Sequence, residues 1–127
     1  MHAHTLKQGS NEEKRLVLRK ALLRMAECLA LSRRELSSIL GLSEASLSRL
    51  YDGKRFIEPH SKEGELAAML LRLYRSLDAL FGGNEKQCQL WLRSENEHLN
   101  AIPVQLIQTI QGLITTITYL DAMRGRN

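Results

Sequence analysis

The sequence predicts an all-α protein in which a helix-turn-helix segment is followed by a small helical module. Apolar residues recur at spacings of three and four through most of the chain, which is the period of an amphipathic helix. Serine, asparagine, proline and glycine stand at the ends of these stretches, where helices begin and stop. The 127 residues are 43% hydrophobic but only 5% aromatic, a composition typical of an ordinary globular protein with an aliphatic core.

The first helix is predicted over residues 12–31. Asn11 is the predicted N-cap, and Glu12 and Glu13 suit the positive end of the helix dipole. Four apolar residues lie four, three and four positions apart, so they form one stripe along the helix. This stripe consists of Leu18, Leu22, Met25 and Leu29.

The segment from Ser32 to Gly53 has helix-turn-helix form. Ser32 and Glu35 match a capping box, in which the hydroxyl and the carboxylate each accept from the other residue's backbone N–H. Gly41 ends the helix that Ser32 opens, because glycine adopts positive φ without a steric clash. Ser43 opens a second short helix that ends near Asp52 and Gly53. The predicted buried residues are Leu36, Ile39, Leu40, Leu42, Leu47 and Leu50.

A loop over residues 54–61, which holds Pro59, precedes a strong helix over residues 63–81. Gly82 and Gly83 end that helix, and Asn84 caps the next one. The long helix places Leu66, Met69, Leu70, Leu73, Leu77 and Leu80 inward, and the shorter helix carries Leu90, Trp91 and Leu92.

After a polar loop over residues 94–100, Pro103 is well placed as the first residue of a helix. Leu106, Ile107 and Ile110 are predicted to form its inner face. The last segment, residues 113–123, contains a β-branched run with strand propensity. However, its apolar residues keep helical spacing instead of alternating, so a helix is predicted there too.

The helix-turn-helix leaves the start of its second helix free to enter a DNA major groove. Small side chains there allow close approach, and an arginine can donate to a guanine edge or to a phosphate. A helix N-terminus can also bind a phosphate through its backbone N–H groups. The candidate DNA contacts are Arg33, Arg34, Ser43, Glu44, Ser46, Ser48, Arg49, Lys54 and Arg55. The alternative is a helical hairpin that packs against its own core or a partner and binds no DNA.

The charge distribution agrees with a polyanionic partner at one end of the chain. Residues 1–77 carry 14 Lys or Arg against 9 Asp or Glu, whereas residues 78–127 carry 4 against 5. A basic N-terminal part beside a near-neutral C-terminal part favours nucleic-acid binding by the first part. The alternative is that this surplus is simply solvated helix surface.

Several functional classes are not supported by the residues. Cys28 and Cys88 lie in apolar helical patterns without a Cys-x-x-Cys, so buried free thiols are predicted, not a disulfide or a zinc site. The four histidines form no ligand-spaced set, and there is no phosphate loop or nucleophile motif. No enzymatic activity, metal or cofactor is therefore expected. No apolar run reaches the length of a membrane span, and residues 1–10 lack an export signal, so a cytoplasmic protein is expected.

The stretch from Leu31 to Arg55 resembles the Xre/Cro class of helix-turn-helix. Its pattern runs LSRRELSSILGLSEASLSRLYDGKR. Arg34 stands where that class often has glutamine, which usually orders a phosphate contact. Ser37 stands where alanine is usual at the tight helix crossing.

Residues 79–127 resemble the small toxin-binding domain of the Xre/MbcA/ParS antitoxins. That pattern contains a tryptophan, an Asn-x-x-Leu loop, a proline that opens a Leu-rich helix, a Thr-x-x-Gly turn and a final helix. The matching positions are Trp91, Asn96 to Leu99, Pro103 with Leu106 and Ile107, and Thr109 to Gly112. Asn100, Ala101 and Ile102 replace the small-residue loop that usually follows the leucine. The predicted domains are therefore residues 12–78 and residues 79–127.

The resemblance implies the antitoxin of a type II toxin–antitoxin pair. Such a protein neutralises a RES-type, NAD-consuming toxin by direct contact and represses its own operon on double-stranded operator DNA. Arg124, Arg126 and Asn127 at the chain end are the candidate toxin contacts, although Arg124 has an alternative role in compensating a helix dipole. A palindromic operator requires two recognition helices, so a homodimer is expected, with the apolar C-terminal helices as its seam. The alternatives are a stand-alone dimeric helix-turn-helix regulator without a toxin, and an adaptor that has lost DNA binding.

Overall fold

A computed structural model describes residues 2–125, and the side chains of residues 11–125. Within this range the chain is entirely helical apart from its loops, which confirms the predicted all-α class, and it contains no extended strand. The helices are α1 (His2–Cys28), α2 (Arg33–Leu40), α3 (Glu44–Tyr51), α4 (Lys62–Leu80), α5 (Glu85–Arg93), α6 (Pro103–Leu106) and α7 (Ile110–Met123). None of these helices combines the length and apolarity that crossing a membrane requires.

The prediction for the first helix was right about its buried stripe but wrong about both ends. Leu22, Met25 and Leu29 are buried as predicted. Asn11 is not an N-cap, because α1 begins at His2 and residue 11 lies inside it. The helix stops at Cys28, before residue 31, and the chain then reverses through Ala30, which has a positive φ of 53°.

The helix-turn-helix is confirmed, including its caps. Ser32 accepts from the backbone of Glu35, and the reciprocal bond of the capping box is present. Gly41 ends α2 in the left-handed region at φ 69°, as the sequence predicts for this glycine. Ser43 caps α3 by accepting from the backbone of Ser46.

Helix α4 lies at the centre of the fold. It packs against α1 and α2 on the N-terminal side, and against α5 and α7 on the C-terminal side. Its first turn contains Gly64, where a Cβ atom would lie 2.2 Å from the carbonyl oxygen of Glu58. Only glycine therefore lets α4 start against the preceding loop. The buried aliphatic residues of all these helices belong to one continuous core.

The C-terminal part differs from the prediction in one respect. Pro103 opens a helix as predicted, but α6 is a single turn, and Thr109 caps a new helix by accepting from the backbone of Gly112. Ile110 is therefore the first residue of α7 and is 62% exposed, so its assignment to an inner face was wrong. The helical prediction for residues 113–123 is confirmed, with Leu113, Ile117 and Leu120 buried.

Candidate nucleic-acid interface and C-terminal surface

Helix α3 presents its N-terminal turn to solvent. Ser43, Glu44, Ala45 and Arg49 are exposed, and Ser46 is half-buried. The Ser43 hydroxyl accepts from the Ser46 backbone N–H over 3.0 Å, which leaves its own O–H available to donate. This turn can therefore approach a phosphate or a base edge without displacing the cap.

Three of the predicted cationic contacts extend freely from this surface. Arg34, Arg49 and Lys54 are exposed, and their side chains have no hydrogen-bond or ion-pair partner among residues 11–125. Arg34 lies at the start of α2, Arg49 lies on α3 and Lys54 lies just after α3. Along the sequence they therefore stand on both sides of the N-terminal turn of α3. Unpaired cations of this kind are available to neutralise backbone phosphates.

Arg33 and Arg55, the other two predicted cations, are already engaged. The Arg33 guanidinium lies 4.0 Å from the centre of the Tyr51 ring, and it donates to the Ser48 hydroxyl over 3.4 Å. Arg55 is half-buried and donates to Glu63 over 2.9 Å, while its Nη1 atom is buried without a hydrogen-bond partner within residues 11–125. Arg33 of α2 thus lies against Ser48 and Tyr51 of α3, whereas Arg55 is held against the start of α4.

Arg19 on α1 holds the far end of α3 in place, and the sequence reasoning missed it. Its guanidinium donates to the carbonyl oxygens of Leu50 and Tyr51, each over 2.7 Å. These carbonyls belong to the last turn of α3, where cations are favourable because of the helix dipole. No local pattern reveals this contact, because the partners lie more than thirty positions away along the chain.

A bidentate ion pair joins α5 to the first turn of α2. Arg93 donates to the two carboxylate oxygens of Glu35 over 2.9 and 2.8 Å, and also to the carbonyl of Ala30 over 2.8 Å. The hydrogen bonds from Arg93 hold the pKa of Glu35 below its ordinary value, against the opposing effect of partial burial. Glu35 thus completes the cap of α2 and anchors the C-terminal part of the chain to the helix-turn-helix.

A second contact from α5 supports the same turn. Gln89 donates to the carbonyl of Cys28 over 2.9 Å, four residues before Arg93 on the helix. The chain between α1 and α2 is therefore held from α5 at both Cys28 and Ala30. This link joins the two predicted domains through polar contacts as well as through the core.

Both cysteines are buried free thiols, as predicted. A hydrogen bond with Glu85 and burial raise the pKa of Cys28, and burial raises the pKa of Cys88. The hydrogen bond with Cys28 and burial raise the pKa of Tyr74 to about 12. These groups stay protonated at neutral pH, so they act as packing residues at the meeting point of α1, α4 and α5.

The Asn-x-x-Leu loop is a compact turn closed by Asn96. The side-chain oxygen of Asn96 accepts from the backbone of Leu99 over 3.0 Å, and its backbone N–H donates to the carbonyl of Ala101 over 2.9 Å. Asn100 completes the turn with a positive φ of 53°, which asparagine tolerates better than most residues. The departure from small residues at positions 100–102 is thus accommodated.

Three rings stack on the surface formed by α5, this loop and α7. The ring of Tyr119 lies 6.3 Å from that of Trp91 and 5.7 Å from that of His98, measured between centroids. Trp91 and Tyr119 are half-buried, and His98 is exposed. Trp91 therefore packs at the edge of the core, and Tyr119 of α7 joins it to His98 of the loop.

The end of α7 is tied to α4 by a polar network. Arg124 donates to the Ser76 hydroxyl over 2.9 Å, and Ser76 donates to Asp121 over 3.0 Å. Arg72 forms an ion pair with the same carboxylate. Arg124, a predicted toxin contact, is thus half-buried and anchored, whereas the other two, Arg126 and Asn127, lie outside the described residues.

Comparison with known families finds a match for each of the two parts of the chain. Residues 11–72 match the antitoxin Xre-like helix-turn-helix domain. Residues 76–126 match the antitoxin Xre/MbcA/ParS C-terminal toxin-binding domain. The chain belongs to the Xre/MbcA/ParS antitoxin family. No curated protein matches it.

In this antitoxin the two family domains meet within α4. The first match ends at residue 72 and the second begins at residue 76, both inside Lys62–Leu80. One continuous helix therefore belongs to both domains. Within residues 11–125 there is no cluster of three or more histidine, cysteine or acidic residues that could hold a metal ion.

Proposed function

We propose that this antitoxin belongs to a type II toxin–antitoxin pair, neutralises a RES-type NAD-consuming toxin by direct contact and represses its own operon. The observation that carries the proposal is the presence of both family domains on one chain, joined by α4. The protein acts by binding and not by catalysis, and it works in the cytoplasm, where its operator and its toxin are found.

The DNA-binding part of the proposal is supported by the free surface of α3. Arg49 on α3 reads a base edge or a phosphate, and Arg34 and Lys54 contact the backbone on either side. Ser43 and the N-terminal amides of α3 bind a further phosphate. Arg33, held over Tyr51, presents its charge from a fixed position on the same face. Arg55 contributes less, because Glu63 already neutralises it.

The toxin-binding part is supported by the C-terminal family match and by the anchoring of α7. The hydrogen bond from Arg124 to Ser76 fixes the point from which the chain leaves the domain. The last residues then enter the toxin's substrate access, where the cationic Arg126 and the polar Asn127 pair with groups that normally meet NAD phosphates. Neutralisation is thus steric.

The test combines two binding measurements on the full chain. Its co-elution with the product of the neighbouring reading frame is followed by gel filtration, and its affinity for the upstream DNA is measured at several salt concentrations. We expect a stable protein complex, and an association constant for DNA whose logarithm falls linearly with the logarithm of the salt concentration. DNA binding without any toxic neighbour would instead support a stand-alone regulator, and loss of salt-dependent binding would support an adaptor.

A further inference from the structure

The first turn of α2 carries two arginines outside the hydrophobic core. Arg33 and Arg34 are exposed, whereas the buried residues of α2 begin at Leu36. Arg33 is attached to α3 by one hydrogen bond of 3.4 Å to the Ser48 hydroxyl and by its contact with the Tyr51 ring. Arg34 has no side-chain partner among residues 11–125. These cations therefore stand on a turn that the apolar core does not reach.

Arg93 of α5 holds the chain on both sides of this turn. Its guanidinium donates to the carbonyl oxygen of Ala30, three residues before Arg33, over 2.8 Å. It also donates to both carboxylate oxygens of Glu35, the residue after Arg34, over 2.9 and 2.8 Å. One side chain from the C-terminal part of the protein thus fixes the entry and the first turn of α2.

The geometry of this contact differs from that of a loose surface ion pair. The Glu35 side chain is only 19% exposed, so water and salt screen the pair less than they screen an exposed one. Two parallel N–H donors on one carboxylate fix the orientation of the groups as well as their distance. Gln89, one helical turn before Arg93, donates to the carbonyl of Cys28 and holds α5 against the same segment.

We propose that Arg93 is a positioning residue for operator DNA, which holds the first turn of α2 so that Arg33 and Arg34 reach the DNA backbone. Phosphate contacts set the register of a protein on the duplex, so displaced cations weaken binding even where they keep their charge. The inference rests on the operator binding of the proposed function and adds a residue to it.

The position of Arg93 in the chain gives the inference its consequence. Arg93 lies within residues 76–126, which match the toxin-binding domain, and outside residues 11–72, which match the helix-turn-helix domain. Operator affinity therefore depends on a side chain of the toxin-binding domain.

Arg93 acts through α2 and does not touch the DNA itself. Both of its terminal nitrogens already donate to Glu35 or Ala30, and the Glu35 carboxylate neutralises its charge. A direct contact with a phosphate would have to break this pair. The direct role and the positioning role therefore lead to different results in a combined variant.

Fluorescence anisotropy of the full chain with the upstream DNA tests the inference. Arg93→Ala is expected to raise the dissociation constant about tenfold, because the first turn of α2 loses its support. The matched control is Lys86→Ala, which removes an exposed cation from the same helix. The control is expected to keep the wild-type affinity, and circular dichroism checks that each variant is folded.

A combined variant separates positioning from direct contact. In a chain that carries Arg33→Ala and Arg34→Ala, adding Arg93→Ala is expected to change the dissociation constant by less than about twofold, because the contacts that Arg93 positions are already gone. Arg93→Lys keeps the charge but cannot present the planar fork, so it is expected to recover only part of the affinity. If Arg93→Ala fails to fold, Arg93→Lys is compared in the same two backgrounds.

Wild-type affinity in both Arg93 variants, or full affinity in Arg93→Lys alone, would overturn the inference. A loss that persists undiminished in the combined variant would also overturn it, and would assign Arg93 a DNA contact of its own. If the wild-type chain binds the upstream DNA while the Arg93 variants bind it equally well, only this inference fails. A wild-type chain that does not bind the DNA would refute operator binding and this inference together.

Discussion

Glu35 performs two tasks with one carboxylate. It accepts from the Ser32 backbone to close the cap of α2, and it accepts the bidentate pair from Arg93 of α5. The first task follows from the local spacing Ser-x-x-Glu and was predicted from the sequence. The second joins residues 58 positions apart, which no local pattern reveals.

The ion pair predicts a pH dependence of stability. Because the folded-state pKa of Glu35 lies below its unfolded value, the pair stabilises the fold above the unfolded pKa, and this contribution is lost as pH falls through the folded pKa. Between about pH 6 and about pH 3 we expect the wild type to lose about 1 kcal/mol more unfolding free energy than Glu35→Gln. Urea denaturation at several pH values measures this.

The control for this prediction is Glu97→Gln, which removes an exposed carboxylate from the loop after α5. It is expected to keep the wild-type pH profile. Parallel profiles for the wild type and Glu35→Gln would show that the contact between Arg93 and Glu35 contributes nothing to folding.

Arg49 is the residue on which the DNA-binding assignment depends most. It is exposed on α3 and has no side-chain partner within residues 11–125. Arg49→Ala is therefore expected to weaken operator binding by about 1–3 kcal/mol, roughly 5- to 150-fold, and to leave toxin binding unchanged. Fluorescence anisotropy with operator DNA measures the loss, with Arg75→Ala on α4 as the matched control. Equal DNA affinity in the Arg49 variant would remove α3 from the recognition role.

At the scale of helices, two glycines permit close approach of backbone segments. Gly112 was assigned to a Thr-x-x-Gly turn, but it lies in the first turn of α7. A Cβ atom there would lie 1.9 Å from the carbonyl oxygen of Leu106. Gly64 occupies the equivalent place in α4, three residues after the Ser61 cap. Such contacts depend on the tertiary path of the chain, so spacing alone does not predict them.

Gly112→Ala is therefore expected to destabilise the protein by about 2 kcal/mol or more, because the backbone of α6 must move away from α7. Thermal unfolding followed by circular dichroism measures the change. Gly82→Ala is the control, since it has φ 58° but open space around it, and it is expected to cost only about 1 kcal/mol of backbone strain. Equal losses at the two sites would contradict the close-approach argument.

The chain end beyond α7 gives a further prediction at this scale. A chain that stops after Gly125 keeps the bond from Arg124 to Ser76, so its fold and its operator affinity are expected to stay unchanged. Its neutralisation of the toxin is expected to fall at least about tenfold, because the charged tail is removed from the toxin's substrate access. An activity assay of the toxin at increasing antitoxin concentration measures this. Full neutralisation by the shortened chain would show that the tail is not the blocking element.

The ends of elements were predictable where a capping side chain is nearby, and less so elsewhere. Ser32, Ser43, Asn84 and Pro103 each begin the helix that the sequence assigned to them. The start of α1 was misplaced because Asn11 has the chemistry of a cap but lies in continuous helix. The boundary between α6 and α7 was misplaced, because the helical spacing of the apolar residues assigned Ile110 to the helix that Pro103 opens.

At the scale of the whole molecule, the two family domains form one structure. A single core runs from α1 to α7, and α4 contributes to both sides of it. Arg93 and Gln89 add polar links from α5 to the turn before α2. A partner bound to the C-terminal domain therefore acts on a body that is continuous with α3.

The fold class, the helix-turn-helix and the family were accessible from the sequence, because they depend on local periodicity, caps and a recognisable residue pattern. The anchoring of α3 by Arg19 and of α2 by Arg93 was not, because each requires two distant segments to meet. The sequence also could not distinguish Arg49 from Arg55, because both are basic residues on or near α3. Only the folded position of Glu63 shows that Arg55 is already paired.

The most direct test of the antitoxin function is a growth assay. The neighbouring reading frame is expressed with and without this chain, and cellular NAD is measured in parallel. We expect that the neighbour alone arrests growth and depletes NAD, and that co-expression of this chain reverses both effects. A harmless neighbour, or growth arrest that this chain does not relieve, would contradict it.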